Sequence, residues 1–493
     1  MNGREEKSSG ATILDGGIIA CLFIFAFAAP HSIAGAQSSW LLGMVLWLLR
    51  FAFHPRPKLY RTPIDYLILG FFILTGLSAF LSYEPMVSIG KLRAASLFTI
   101  IYLCAENIPS LRVVRLLTVT LIASCMINVL YTAGERLLGR GVKVYGVAES
   151  SVLYKAGVRG GDTLLTIDEH KMDHPQDIVN FLSRPERRPA ALRIYRHEWQ
   201  PIFKVPRGDL PQGGTALEQL GVSNWSRGRD WRASGFFGHY VTYAEVLQLV
   251  IALTLALFVS APNKRSWVAV LLLVALVGFS FALLMTVTRA VWLGCLVSSL
   301  IILALAIRRR TLIIIGALAV PLIFAGLYLL QQKRNVAFFD SQDASTTWRQ
   351  TVWRGGFDLL MSKPRHLLIG VGMDSIKAHW REWGLFDGGR IPMGHMHSNF
   401  LQIALERGLP ALLLWLSFLF VYARTLWRSL RTVGSTLGWM ERGILLGALG
   451  GLAGFLTSGV VHYNWGDSEV VMVLFMIMGL ALAIHRELQP RKT

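Results

Sequence analysis

The chain has 493 residues, 53% hydrophobic and only 16% charged, with a formal net charge of +19. A mean hydropathy of +0.47 is too high for a soluble globular protein of this length. The positive excess is spread over short loops between apolar runs, which argues against a nucleic-acid-binding face.

Apolar runs long enough to cross a bilayer as helices, about 17–25 residues, recur about twelve times. They fall near 14–34, 38–53, 64–82, 93–108, 112–133, 240–260, 266–286, 289–307, 311–330, 400–423, 441–463 and 468–485. The expected fold is an all-α polytopic membrane protein. The first run follows the polar stretch Met1–Gly10 and lacks a small-residue cleavage site, so it is expected to anchor the chain. Lys and Arg gather in alternate loops, at Arg50 to Arg61, Arg112 and Arg115, Lys264 and Arg265, Arg308 to Arg310, Arg424 to Arg442 and Arg486 to Lys492. Cytoplasmic loops carry such an excess, which puts these loops and both termini in the cytoplasm. The opposite face then receives the segments 134–239 and 331–399.

The expected division is N-terminal spans at 1–136, a small periplasmic domain at 137–208, central spans at 209–330, a large periplasmic loop at 331–399 and C-terminal spans at 400–493. Cys21, Cys104, Cys125 and Cys295 all lie in apolar runs, so no disulfide framework or thiolate zinc site is expected outside the membrane.

In the first outer segment, alternating apolar positions predict strands at 142–147, 163–168, 190–195 and 201–205, with a short helix from Pro175 to Leu182. The run from Ser151 to Asp168, with Ala156-Gly157 and Gly161-Asp162, resembles a bacterial PDZ domain. That resemblance implies an α+β insert that pairs an extended peptide with a sheet edge. The carboxylate loop would fall near Leu138-Gly139-Arg140-Gly141. A purely structural insert without a peptide partner is the competing reading.

Pro392 to Phe400 closes the second outer segment, where His395, His397 and Asn399 stand just before an apolar run. Imidazole is the side chain best suited to moving a proton near neutral pH. Four patches in order, Arg232 to His239, Thr286 to Trp292, Trp348 to Trp353 and His397 to Gln402, the last followed by Glu406-Arg407-Gly408-Leu409-Pro410, resemble the O-antigen ligase and polymerase superfamily. The family's Ser-Arg pair appears here as Thr288-Arg289.

The resemblance implies glycan transfer from an undecaprenyl-diphosphate carrier to an acceptor hydroxyl at the periplasmic face of the inner membrane. The first expectation is a ligase acting on lipid A-core. A polymerase of repeat units and a protein O-oligosaccharyltransferase are the alternatives, and a transporter ranks lower. Arginine suits a diphosphate because its planar fork bonds bidentately and keeps its charge. Arg289 and Arg349 are therefore expected to stabilise the leaving group, with Arg232 and Arg354 as further substrate-binding candidates.

His397 is the expected base, with Asn399 or a carboxylate orienting it and His395 beside the substrate. A single displacement would invert the anomeric carbon, and no metal or cofactor is expected. Arg354 also reads as a solvated position, and His395 with His397 as two metal ligands. Trp348, Trp353, Trp380 and Trp383 are expected to form an interfacial aromatic belt. The outer turn with His462, Tyr463, Asn464, Trp465 and Asp467 gives only a weak signal.

Overall fold

The computed structural model describes residues 8–196, 200–229, 231–311, 313–314, 344–391, 394–432 and 437–489. Among these, eight helices are long and apolar enough to cross a membrane, and Asp65–Phe80 is a shorter apolar helix. Helices also fill the expected runs at Ile33–Arg50 and Trp439–Ser458. The run at 311–330 lies outside the described residues, apart from the helical positions at its start.

The chain divides into two compact units. One comprises 1–126, 241–283 and 288–493, the other 127–240 with 284–287.

In the first unit, Tyr240–Ser260 and Ser468–Leu488 are buried along most of their length, whereas Arg289–Ala306 turns much of its apolar surface outward. Small residues permit close packing of Arg289–Ala306 on Trp439–Ser458. Gly294 and Gly454 leave no room for a Cβ, and Ser298 Oγ donates to the Gly450 carbonyl at 2.7 Å.

Two expected spans are interrupted. The fourth is a broken series, Pro85–Gly90, Leu92–Ala95, the 3₁₀ turn Ser96–Phe98 and Thr99–Asn107. The tenth does not begin at 400. Asn399–Arg407 is a separate buried helix, and the long helix is Leu409–Thr432. Gly408 makes the break at φ +83°, where any Cβ would collide with the Leu368 carbonyl.

The second unit carries an antiparallel sheet of six strands. These are β1 (Val142–Val147), β2 (Thr163–Ile167), β3 (His170–Lys171), β4 (Ala190–Tyr195), β5 (Ile202–Val205) and β6 (Val222–Arg227). Their order is β5-β4-β2-β1-β6, with β3 paired to β2. Val144, Leu164, Ile178, Leu192 and Val222 belong to one buried cluster under this sheet. The helix Pro175–Leu182 covers it, started by Pro175 and by a reciprocal cap between His174 and Asp177.

β6 was not expected. It pairs with β1 from Val142↔Arg227 to Val147↔Val222, which carries the sheet past residue 208. The expected carboxylate loop is also corrected. Arg140 N–H donates to the Gly228 carbonyl at 2.8 Å and Gly228 N–H returns a bond to Gly141 at 3.2 Å, so these backbone groups are already paired.

Candidate active site

The Thr286 to Trp292 patch forms a tight turn. The helix Trp267–Thr286 ends, Val287 takes φ +54°, and Arg289 opens the helix Arg289–Ala306. A β-branched residue at positive φ is strained, and such strain gathers at functional positions. Thr288 is buried, and its carbonyl accepts from the N–H groups of Val291 and Trp292 at 3.1 and 3.2 Å. Arg289 is half-buried at the helix start. Arg232 belongs to the second unit, where its guanidinium lies 4.4 Å from the centre of the Tyr240 ring. Its neighbour Ala233 N–H donates to the Met285 carbonyl, in the last turn of the helix Trp267–Thr286, at 2.9 Å.

His397 has φ +48°, a second strained residue at an expected site position. Its backbone N–H donates to His395 Nδ1 at 3.1 Å, and the two rings lie 4.1 Å apart. Trp348 packs edge-on to His397 at 4.5 Å. Burial pushes the His397 imidazole down to about 2, assisted by the positive fields of His395, Arg349 and His462. Its resting form is therefore the neutral base. Arg349 lies in the helix Ala344–Met361, as its expected helical placement required, and it acts on His397 through this field. Arg354, on the same helix, is exposed.

The backbone under His397 is held by a buried polar chain. Met396 N–H donates to Gln402 Oε1 at 2.7 Å, and Trp353 Nε1–H donates to the Met396 carbonyl at 2.9 Å. Gln402 donates to Glu406 Oε1 at 2.8 Å, and Glu406 Oε2 accepts from the Tyr463 hydroxyl at 3.2 Å. Arg407 pairs with Glu406 at 3.1 Å. Burial in this network raises the Tyr463 hydroxyl well above its ordinary range, and Glu406 adds to that.

Asn399 does not orient His397. Its amide donates to Asn464 Oδ1 at 2.5 Å and accepts from Trp465 N–H at 3.0 Å, which ties the histidine turn to the turn after Trp439–Ser458. The expected aromatic belt is corrected in part. Trp348, Trp380 and Trp383 pack on the apolar cluster of the loop itself, and Trp353 is engaged by Met396.

Sequence reasoning passed over Glu245 and gave little weight to His462. His462 Nδ1 and Glu245 Oε1 are 3.0 Å apart and both side chains are buried. The available signal was a single acidic residue inside the apolar run 240–260. Among the described residues, no three His, Cys, Asp or Glu side chains are grouped as a metal site would require.

These elements define a polytopic membrane protein with a small α+β insert and a half-buried histidine centre beside an arginine-bearing helix. Residues 274–416, which contain Arg289, Arg349, Arg354, His395, His397 and Asn399, match the family model described as O-antigen ligase, and the chain carries a domain of that family. A stretch of 63 residues is 35% identical to the "Probable periplasmic serine endoprotease DegP-like" of Halomonas elongata. It covers 13% of this chain and 13% of that protein, so the chain spans about an eighth of the relative's length.

Proposed function

We propose that the protein transfers a glycan from an undecaprenyl-diphosphate carrier to an acceptor hydroxyl at the periplasmic face of the inner membrane. The observation that carries this reading is His397. It is a strained, half-buried, neutral imidazole under the positive field of Arg349, inside the segment that matches the O-antigen ligase family.

In the reaction, the acceptor oxygen forms a bond to the anomeric carbon as the bond from that carbon to the diphosphate oxygen breaks. The diphosphate leaves with the bonding pair, and His397 takes the hydroxyl proton. One such displacement inverts the anomeric centre. Arg289, at a fixed turn, and Arg349, on the loop helix, neutralise the departing diphosphate. A bound dianion beside His397 also opposes the positive fields that depress its basicity, so the base strengthens when the donor is present. The arginines supply the charge a divalent ion would bring, and activity should survive EDTA.

Lipid A-core is the acceptor proposed first, which makes the protein a ligase. A repeat unit still on its carrier would make it a polymerase instead. The insert favours one further reading, in which a protein supplies the hydroxyl or docks nearby. β6 ends the sheet order and has an edge for an extended peptide, and a cavity of about 360 Å³ lies beside its start at Gly221, Val222 and Ser223. The proposed orientation has both termini in the cytoplasm, and single cysteines placed in 137–229 should react with an impermeant reagent from outside spheroplasts.

The test of function uses purified protein in nanodiscs with a synthetic undecaprenyl-diphosphate glycan and lipid A-core. Glycan joined to lipid A-core supports the ligase. Lengthened carrier-linked glycan supports the polymerase. A wild-type protein that transfers glycan to no hydroxyl acceptor, with or without divalent ion, overturns the reading.

A further inference from the structure

Glu406 lies in the short helix Asn399–Arg407 and is only 2% exposed. A carboxylate buried to that degree is costly unless it is paired and hydrogen-bonded. Arg407 pairs with it at 3.1 Å. Its backbone is clamped as well. The Glu406 carbonyl accepts from Ser78 Oγ at 2.7 Å and from Gly372 N–H at 2.9 Å, and Gly370, at φ +79°, leaves no room for a Cβ against it. Glu406 is thus anchored to the helix Asp65–Phe80 and to the loop after Pro364–Leu368 by contacts that leave its side chain free for other partners.

The two carboxylate oxygens reach the two histidines by separate arms. Oε1 accepts from Gln402 Nε2–H at 2.8 Å and from Asp374 N–H at 3.2 Å. Gln402 Oε1 in turn accepts from Met396 N–H at 2.7 Å, one residue before His397. Oε2 accepts from the Tyr463 hydroxyl at 3.2 Å, and the Tyr463 ring lies 5.5 Å from the His395 ring. Chemistry fixes the order of groups in the first arm. An amide has one accepting and one donating end, the Met396 N–H can only donate, and a carboxylate can only accept. A reversed Gln402 amide would set donor against donor and oxygen against oxygen. Glu406 therefore decides which end of Gln402 faces the histidine turn.

The turn needs such a hold. His397 has φ +48°, which a non-glycine residue keeps only where its surroundings over-determine it. Gln402 holds Met396 N–H, Trp353 Nε1–H holds the Met396 carbonyl, and His395 Nδ1 holds His397 N–H. The last contact brings in the second arm, because the His395 ring is packed by Tyr463. We propose that Glu406 positions the histidine pair for transfer, holding His397 through Gln402 and His395 through Tyr463. This rests on the glycan-transfer reading, in which His397 takes the acceptor proton. Gln402, Glu406 and Tyr463 act through the histidines and are positioning residues.

The experiment measures kcat and donor KM against pH for full-length protein in nanodiscs, with a synthetic undecaprenyl-diphosphate glycan and whichever of lipid A-core or carrier-linked glycan the wild type uses as acceptor, at saturation. Gln402→Met keeps the volume and removes both amide contacts. It should lower kcat by ~10²-fold, the scale of a misplaced catalytic group, with donor KM within about two-fold of wild type. Released from its strained turn, the His397 ring gains water, and its pKa rises toward the ordinary imidazole range, although the positive fields of His395, Arg349 and His462 still act on it. The neutral base is then lost as pH falls, so kcat/KM should gain an acidic limb between about pH 8 and about pH 6 that the wild type lacks. Tyr463→Phe keeps the ring against His395 and unhooks its hydroxyl, for a smaller loss of roughly ten-fold in kcat. Gln402→Glu sets two carboxylates against each other. Adding Glu406→Gln restores one amide facing one carboxylate, with an oxygen still toward Met396 N–H, and should raise kcat about five-fold or more over Gln402→Glu alone.

A Gln402→Met protein with more than about half of wild-type kcat overturns the proposal, as does a loss confined to donor KM. A lower kcat without the acidic limb overturns it too, because the His397 ring has then kept its place. If Gln402→Met does not accumulate in the membrane, the exchange of amide and carboxylate decides, and a double variant no faster than Gln402→Glu overturns it equally. Absence of transfer by the wild type would instead remove the glycan-transfer reading, and this assignment with it.

Discussion

The insert and the histidine centre bury opposite kinds of residue. Beneath the insert sheet the buried positions are apolar, with Val144, Ile178 and Leu192 at 1% exposure or less. In the membrane unit Leu293, Leu300 and Leu413 are more than half exposed, while Asn399, Gln402 and Glu406 are at 0%, 3% and 2%. The insert is held by apolar area removed from water, which is non-directional and insensitive to which neighbour supplies it. Around His397, apolar surface can face lipid at no loss, and order comes from polar groups that each need a partner. Truncating an aliphatic side chain should therefore injure the insert, and truncating an amide or a charge should injure the centre.

The largest expected effect is in the insert. Ile178→Ala should cost its sheet about 2–5 kcal/mol. Hydrogen exchange read by mass spectrometry should show lost protection in β1, β2 and β4, with Asn399–Arg407 unchanged. Exchange spreading equally to that helix would break the contrast between the two regions.

The arginines come next. Arg289→Lys should lower kcat on the order of 10²-fold, because an ammonium cannot reproduce a bidentate fork fixed at a turn. Arg349→Lys should be milder and raise donor KM by roughly five-fold if, as proposed, its guanidinium helps to hold the donor diphosphate. Steady-state kinetics with varied donor separates the two, and a fully active Arg289→Lys beside a dead Arg349→Lys would reverse their roles.

Asn399→Ala leaves Asn464 Oδ1 without its donor and Trp465 N–H without its acceptor, for a loss of about 1–3 kcal/mol. Thermal unfolding in nanodiscs should register it, and an unchanged midpoint would show that the link between the two turns is dispensable.

The smallest effect is an absence of change. Burial and positive neighbours lower the His397 pKa, so the neutral base persists as pH falls from about 8 to about 6, where an ordinary imidazole would take up a proton. The kcat/KM profile of the free enzyme should show no acidic limb in that window. A limb near the ordinary imidazole value that disappears in a His397 variant would contradict this.

The insert strands were legible because period-two alternation and turn residues are local signals. β1 and the helix Pro175–Leu182 lie where the pattern put them. β6 was not legible, since Val222 to Arg227 alternates weakly and becomes a strand only through its long-range pairing with β1. The spans were legible from hydropathy, but the break at Gly408 was not, because it depends on the approach of the Leu368 carbonyl. Of the candidate site, motif order singled out His397 and Arg349, and the structure sets the helix of Arg349 against His397 through Trp348. The true partners of Asn399 were hidden, because Asn464 and Trp465 are some 65 residues away in sequence. Glu245 was visible as a lone acid in an apolar run, yet nothing local names His462 as its partner.

The central claim is that His397 removes the proton of the acceptor hydroxyl during glycan transfer. Its most direct test is single-turnover transfer by wild type and His397→Ala, each preloaded with undecaprenyl-diphosphate glycan in nanodiscs and mixed with saturating acceptor. The account predicts a rate lower by ~10²–10⁴-fold in the variant, with donor affinity and membrane abundance unchanged. A His397→Ala protein that transfers glycan at the wild-type rate would contradict it.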